Sequence, residues 1–190
     1  MSDWLMTCIA SGIALAAVWF PLYRGMRLCY EAREATRVME PGELQQRLRD
    51  RPLGGMDEPL GLQMLRALAK SLKENRAGHP REFIVDATRQ YIVNDYDTHF
   101  AARISMYANL LPPIGFIGTT GGLLILFVSM HMSDSSLELG ALAIALTSSI
   151  FALIGFSLLE GMKLRLYTRL LESVDAVIAL ERRAEQRQAA

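Results

Sequence analysis

The chain has 190 residues, 51% of them hydrophobic, and its mean hydropathy of +0.19 is high for a soluble protein. Its 20 basic and 20 acidic residues give a formal net charge of zero, so no overall charge attracts the chain to nucleic acid. The basic residues fall in two blocks, Arg24–Arg103 and Lys163–Arg187, and residues 1–23 and 104–162 contain none. These two basic-free segments are the predicted membrane segments.

The first predicted transmembrane helix covers residues 1–23. Twenty residues from Trp4 to Tyr23 carry no charge, which is enough to cross a hydrocarbon core of about 30 Å. Aromatic residues stand at both ends, where amphipathic rings prefer the membrane interfaces. A cleaved signal peptide is the alternative. It is disfavoured because no basic region precedes the segment and bulky residues, not small ones, follow it at 20–23.

The region 24–103 is predicted to be cytoplasmic and helical. The first helix should continue inward until Pro41, a short polar helix should cover 43–51, and 52–59 should form a loop. Residues 60–75 read as an amphipathic helix, and a further helix should run from Arg81 toward the second span. The apolar stripe predicted for the amphipathic helix consists of Leu62, Leu65, Leu68, Ala69 and Leu72.

Two further transmembrane helices are predicted at 104–131 and 139–162. The connector 132–138 is short and polar, so the two spans should form an antiparallel hairpin with this loop in the periplasm. The C-terminal segment 163–190 is amphipathic and basic and is predicted to be a cytoplasmic helix. Loops rich in Lys and Arg stay inside, which places the N-terminus outside and the C-terminus inside the cell. The predicted fold class is therefore an all-α membrane protein with three transmembrane helices and long cytoplasmic helical extensions.

The sequence shows no pattern typical of a metal site, a cofactor site or an enzyme. His79, His99 and His131 are scattered, and a disulfide between Cys8 and Cys29 would have to join a membrane span to the cytoplasmic face. No phosphate-binding loop and no Ser-His-Asp arrangement is recognisable. We therefore expect no cofactor, no metal and no enzymatic activity.

The predicted spans are rich in small residues and hydroxyls, and they carry no ionisable residue at mid-bilayer. In the second span Gly115, Gly118 and Gly122 follow the small-residue spacing that lets helices approach closely. Hydroxyls accompany them at Thr119 and Thr120, and the third span carries Thr147, Ser148 and Ser149 at similar depth. One interpretation is helix packing alone, with each threonine bonded to its own helix. The other is a hydroxyl-lined hole at the centre of a ring of subunits.

These residues resemble the MotA/TolQ/ExbB proton-channel family. The stretch LPPIGFIGTTGGLLILF matches the family pattern Pro-x-x-Gly-x-x-Gly-Thr-x-x-Gly at every position, with Pro112 first and Gly122 last. In ALAIALTSSIFALIGFSLLEGMKLRL, Ala145 and Leu146 match the third-span pattern, and Ser149 takes the place of the pore-facing threonine. The resemblance is specific over about 105–165 and architectural elsewhere.

The resemblance implies a ring, with five copies of this subunit around an ExbD/TolR/MotB-like partner. Such partners are single-span proteins with a membrane aspartate, which would supply the titratable group that this chain lacks. Thr119, Thr120, Ser148 and Ser149 would line the ion pathway, and Pro112, Gly115, Gly118 and Gly122 would serve helix packing. The implied function is an ion-driven motor of the bacterial inner membrane. A sodium-driven motor and a non-conducting membrane scaffold are the alternatives.

Overall fold

The computed structural model describes residues 2–40, 42–43, 46, 58–75, 78–132 and 135–189, and all regular structure in these ranges is helical. The prediction of an all-α protein is therefore confirmed. The elements are α1 (Ser2–Ala35), α2 (Leu60–Lys73), α3 (Arg81–Tyr96), a π-helical turn (Asp97–Ala101), α4 (Ala102–Met132) and α5 (Ser135–Ala189).

The chain divides into two compact units. The hairpin unit comprises Met1–Leu28 and Arg103–Met162, and the second unit comprises Cys29–Ala102 and Lys163–Ala190. The predicted boundaries between membrane and cytoplasmic segments followed residues 23, 103 and 162. The two compact units divide after residues 28, 102 and 162, and the membrane boundaries themselves stay predictions.

Small residues bring the helices of the hairpin unit close together. Gly25 of α1 lies against Leu159, and a Cβ added there would stand 2.7 Å from a Leu159 methyl carbon. Gly155 of α5 faces the side chains of Leu111 and Leu22 in the same way. Because helix backbones can approach closely only where side chains are small, these glycines set the spacing between α1, α4 and α5.

Larger apolar side chains build the core of the second unit. Gly61 of α2 packs directly against Ser173 of α5, and both helices bury apolar side chains in this unit. The core side chains of this unit include Leu62, Met64, Leu65, Leu68, Ile92, Tyr96, Leu166, Leu170, Val174 and Val177. This is the burial expected of an amphipathic helix that packs its apolar stripe on a neighbour.

Two helix details differ from the sequence expectation. Helix α1 ends at Ala35 and does not continue to Pro41, since the Thr36 hydroxyl donates a 2.9 Å hydrogen bond to the Ala32 carbonyl at the helix end. On α2, Ala69 is exposed and Leu72 half-buried, while Met64 is buried in their place. The predicted segments 43–51 and 52–59 lie almost entirely outside the described residues.

The connector between the last two helices is shorter than the predicted loop 132–138. Helix α4 extends through Met132 and α5 begins at Ser135, so only 133–134 lie between them. The sequence from Ser135 to Glu138 has the Ser-x-x-Glu spacing of a capping box, which favours helix initiation within the predicted loop.

Two helical stretches in the described part of the chain are long and apolar enough to cross a membrane. They are Arg81–His131 and Glu138–Arg183, and they contain the predicted second and third spans. Helix α1 is not among them, so the first span at 1–23 stays a prediction.

Candidate functional site

Three glycines of α4 bring its backbone against α5. A Cβ added at Gly115 would lie 2.6 Å from the Ala152 methyl, and one at Gly122 would lie 2.7 Å from both the Ala141 carbonyl oxygen and the Ala145 methyl. Between them, a Cβ at Gly118 would collide with the Ser148 side chain. The three positions face α5, and any side chain there would push the two helices apart.

This close approach places hydroxyls of both helices in contact. Thr119 of α4 and Ser149 of α5 form a direct side-chain hydrogen bond. The Thr119 hydroxyl also lies 2.9 Å from the Gly115 carbonyl oxygen and 3.2 Å from the Ala145 carbonyl oxygen. Ser148 joins them, with its hydroxyl 3.2 Å from the same Gly115 carbonyl. We call Thr119, Ser148 and Ser149 the hydroxyl cluster.

The Gly115 carbonyl is the shared acceptor of the hydroxyl cluster. All three hydroxyls lie within hydrogen-bond distance of it, Ser149 at 3.4 Å. The α-helical ladder already supplies this carbonyl with the N–H of Thr119, four residues later. The main chain therefore does not depend on the hydroxyls, which can change acceptor without leaving a helix carbonyl unpaired.

The hydroxyl cluster offers more acceptors than it has protons. Each hydroxyl carries one hydrogen and two lone pairs, so three hydrogens serve several alternative acceptors. A hydroxyl can accept a hydrogen bond from a protonated acid and can equally donate one to an ionised acid. The hydroxyl cluster stays uncharged whether it accepts or donates. It can therefore contact an acid in the protonated or in the ionised form.

The structure brings together three of the four residues predicted to line the ion pathway. Ser148 is buried, whereas Thr119 and Ser149 are half-buried. Thr120 is exposed and does not join the cluster, since its hydroxyl bonds to the Phe116 and Ile117 carbonyls of its own helix at 3.1 and 3.0 Å. This is the self-bonded arrangement that the packing interpretation describes.

Pro112, predicted to serve packing, is half-buried within α4 and is followed by Pro113. Proline has no N–H, so the helix carbonyls of Ala108 and Asn109 lack their usual donors there. The two prolines therefore interrupt the hydrogen-bond ladder about one turn before Gly115.

The surroundings of the hydroxyl cluster are apolar and uncharged. From Ile104 to Leu159 the described residues include a single charged side chain, Glu138, near the start of α5. No group of metal-binding side chains occurs in the described ranges. The outward faces of α4 and α5 expose large apolar side chains, among them Phe116, Ile117, Leu124, Phe127, Leu146, Ile150, Leu153 and Ile154.

Sequence reasoning missed the two main-chain carbonyls. The sequence placed the hydroxyls of the two spans at similar depth and allowed each threonine to bond to its own helix. It did not predict that Thr119 would reach the Ala145 carbonyl, or Ser148 the Gly115 carbonyl, of the other helix. The small side chains of Gly115 and Ala145 were the one available indication in the sequence. A small side chain leaves the carbonyl oxygen of its helical turn accessible to a hydroxyl of the neighbouring helix. Compared with protein-family models and with curated proteins, the sequence matches none.

Proposed function

We propose that this chain is a ring-forming subunit of an ion-driven motor in the bacterial inner membrane. In this proposal α1, α4 and α5 each cross the membrane, with the N-terminus in the periplasm and the C-terminus in the cytoplasm. Five copies surround a single-span, ExbD/TolR/MotB-like partner that carries a membrane aspartate. Proton flow through the ring drives movement of the partner, which performs work in the periplasm or envelope.

The observation that carries the proposal is the hydroxyl cluster in an uncharged hairpin. Thr119 and Ser149 meet across two helices that otherwise expose mainly apolar side chains. An isolated charge in such surroundings is strongly disfavoured, so a titrating acid there needs polar neighbours. Neutral hydroxyls can contact that acid whether it is protonated or ionised, which suits a carboxyl group that alternates between the two forms.

The free energy supplied by a membrane potential is large enough to rearrange the hydrogen bonds of the hydroxyl cluster. One charge moved across a membrane potential of 100 mV supplies ~2.3 kcal/mol. Reorienting one hydroxyl between acceptors exchanges hydrogen bonds worth about 1 kcal/mol net. The driving force therefore exceeds the free energy needed to rearrange the cluster, and each ion passage can be coupled to one rearrangement.

The outward faces of α4 and α5 support a location in lipid or between subunits. Over 116–128 and 139–158 they expose leucine, isoleucine and phenylalanine, whereas Gly115, Gly118 and Gly122 of α4 face α5. A water-soluble monomer rarely exposes contiguous apolar patches of this kind. The number of subunits, five, comes from the family resemblance.

The decisive experiment removes the hydroxyls and keeps their volume. Thr119→Val and Ser149→Ala, assayed with the co-expressed partner in reconstituted vesicles, should lower partner-dependent proton uptake at least about tenfold, since each 1.4 kcal/mol of lost stabilisation is a factor of ten. Thr120→Val is the matched control, because Thr120 bonds only to its own helix. Its flux should stay near that of the wild type.

Assembly is measured in parallel. Hydrogen bonds between membrane helices contribute only ~0.6 kcal/mol on average, so native mass spectrometry should still show five copies for Thr119→Val. Normal flux in both Thr119→Val and Ser149→Ala would overturn the assigned pathway. A monomer in the presence of partner would overturn the ring.

Topology is tested by reporter fusions. A reporter after Ala190 should be active in the cytoplasm, and one inserted at Ser135 should be active in the periplasm. A cytoplasmic signal from the Ser135 fusion would contradict the three-span arrangement.

The second candidate function is a non-conducting membrane scaffold. It is favoured by one observation, namely that every hydroxyl of the cluster already has a hydrogen-bond acceptor within the hairpin. A scaffold predicts an assembled ring with no partner-dependent flux in the wild-type protein. A sodium-driven motor predicts flux that follows the sodium gradient and persists when the pH gradient is collapsed.

A further inference from the structure

The exposed surface of α1 changes from apolar to charged at one point. Trp19, Phe20 and Tyr23 are each more than half exposed. The first charged residue after Asp3 is Arg24, which is exposed as well. Large aromatic rings beside a basic side chain are typical of the level where a bilayer meets water, because the rings are amphipathic and the charge needs hydration.

Helix α5 shows the same change at the same level. A Cβ added at Gly155 would lie 3.4 Å from a methyl carbon of Leu22, and one added at Gly25 would lie 2.7 Å from a methyl carbon of Leu159. The two contacts advance together along both helices, so α1 and α5 run parallel here. Leu159 is followed directly by Glu160, which ends the long uncharged run of α5. Within the hairpin unit, both helices therefore become charged at a common level.

The Arg24 guanidinium lies against the ring of Phe20, with 5.6 Å between its Cζ and the ring centroid. A cation held by an aromatic ring keeps its N–H groups available for other partners. Arg24 has no carboxylate partner among the described residues. A guanidinium presents a planar fork of N–H donors that matches a phosphate in bidentate geometry. The pair therefore offers a positioned phosphate-binding group beside exposed aromatic rings.

We propose that Phe20 and Arg24 bind the headgroup phosphate of an anionic phospholipid in the cytoplasmic leaflet. The proposal rests on the membrane topology proposed above, in which α1 enters the cytoplasm at its C-terminal end. The acyl chains pack along the exposed apolar side chains that precede Arg24, and the guanidinium binds the phosphate. The stretch 19–24 carries one positive and no negative charge, so it favours a headgroup with net negative charge. A zwitterionic headgroup brings a cation of its own, which Arg24 repels.

The test uses the fluorescence of Trp19, which directly precedes Phe20. The chain has two tryptophans, so Trp4→Phe leaves Trp19 as the only one. This full-length variant is reconstituted in mixed vesicles of phosphatidylcholine and phosphatidylglycerol, with one of the two lipids brominated near the carbonyl end of its acyl chains. Bromine quenches tryptophan fluorescence on contact. The ratio of quenching by the two brominated lipids therefore measures which lipid lies beside Trp19.

We expect brominated phosphatidylglycerol to quench Trp19 more strongly than brominated phosphatidylcholine at equal mole fraction. Arg24→Gln should lower this preference about fivefold, the effect of one basic residue close to an anionic membrane surface. Arg33→Gln is the matched control, because it removes the same charge from an exposed position nine residues later on α1. At ~1.5 Å per residue this separation exceeds a Debye length of ~8 Å, so the preference should be kept.

Phe20→Leu keeps an apolar side chain and removes the ring that holds the guanidinium, so it should lower the preference by part of the Arg24→Gln effect. Equal quenching by the two brominated lipids would overturn the headgroup site and leave the first span in place. An unchanged preference in Arg24→Gln would overturn the site as well. Absence of quenching by either lipid would place Trp19 outside the bilayer, which would overturn the proposed span together with the site.

Discussion

The two units of this chain are held together by different interactions. The hairpin unit packs the α4 glycines against alanine and serine, beside buried Ile104, Leu111 and Leu159, and its hydroxyl cluster bonds to main-chain carbonyls. The second unit buries leucine, methionine and tyrosine, and it carries the ion pairs Arg66–Glu58 and Arg81–Glu181.

The difference shows which force each unit relies on. Burying large apolar side chains stabilises a fold only where the alternative is contact with water. In apolar surroundings, helix association is instead stabilised by close packing of small residues and by short interhelical contacts. The small-residue contacts of the hairpin unit are those expected if it packs in lipid, as proposed, and the apolar core of the second unit is that expected of a fold that packs in water. The predictions below test this contrast.

The largest effect is expected from Gly122→Val. Its Cβ would stand 2.7 Å from the Ala141 carbonyl oxygen and 2.8 Å from the Ala145 main-chain nitrogen, and neither backbone atom can move aside. We expect loss of the monodisperse peak in size-exclusion chromatography of the detergent-extracted protein. Gly121→Val is the control, because nothing lies within 4 Å of an added Cβ there. Equal behaviour of the two variants would contradict the close approach of α4 and α5.

In the second unit the corresponding test is loss of apolar volume. Leu68→Ala removes a side chain with 0% exposure, and large-to-small changes of this kind destabilise by ~2–5 kcal/mol. The thermal midpoint should fall by roughly 10 °C at ~2–4 °C per kcal/mol. Leu164→Ala, at a position 65% exposed, should change the midpoint little. A small effect of Leu68→Ala would mean that this unit does not depend on its apolar core.

Cys29 tests whether the core of the second unit excludes water. Burial raises the pKa of its thiol from 9.0 to about 11, which gives a smaller thiolate fraction at pH 7.5. Two pKa units correspond to about 2.7 kcal/mol, or roughly a hundredfold slower alkylation. In a Cys8→Ser background, labelling by iodoacetamide should therefore be slow until unfolding in sodium dodecyl sulfate exposes Cys29. The thiolate fraction rises with pH, so labelling of the folded protein should accelerate between pH 9 and 11. Rapid labelling at pH 7.5 would contradict the burial of Cys29.

The smallest effect is expected from the Arg81–Glu181 ion pair. Its side chains are 36% and 23% exposed, and exposed pairs contribute ~0.2–1 kcal/mol, less at high salt. Arg81→Gln should lower the thermal midpoint by a few degrees at most. Arg66→Gln should cost more, because the Arg66–Glu58 pair is only 17% and 11% exposed at 2.6 Å. The reverse order in low-salt buffer would show that burial does not decide the strength of these pairs.

Sequence patterns predicted the helices, because each has a clear signal. Charge gaps and apolar runs located α4 and α5, and the apolar stripe located α2, whereas the Pro-Gly break placed the end of α1 too late. The spacing of Gly115, Gly118 and Gly122 predicted one packed face, since residues three and four apart lie on the same side of a helix. The depth match between Thr119 and Ser149 predicted that their hydroxyls lie at one level.

Other features had no local signal. The Arg81–Glu181 pair joins residues a hundred positions apart, and either charge alone reads as a solvated surface residue. The π-helical turn Asp97–Ala101 inserts an extra residue into a helix of ordinary composition, which periodicity does not detect. On α2, Met64 is buried in place of Ala69, and Gly61 packs against Ser173 of a distant segment, a contact that the apolar periodicity does not reveal.

The shared carbonyl of Gly115 has a consequence for the local dielectric response. An apolar helical hairpin polarises weakly, and charges within it interact as if the dielectric constant were of order 4–20. Three hydroxyl dipoles that can reorient without breaking the main-chain ladder raise that response at the depth of the hydroxyl cluster. At the level of Thr119 and Ser149, the hairpin therefore has reorientable side-chain dipoles that can stabilise a charge as water molecules would.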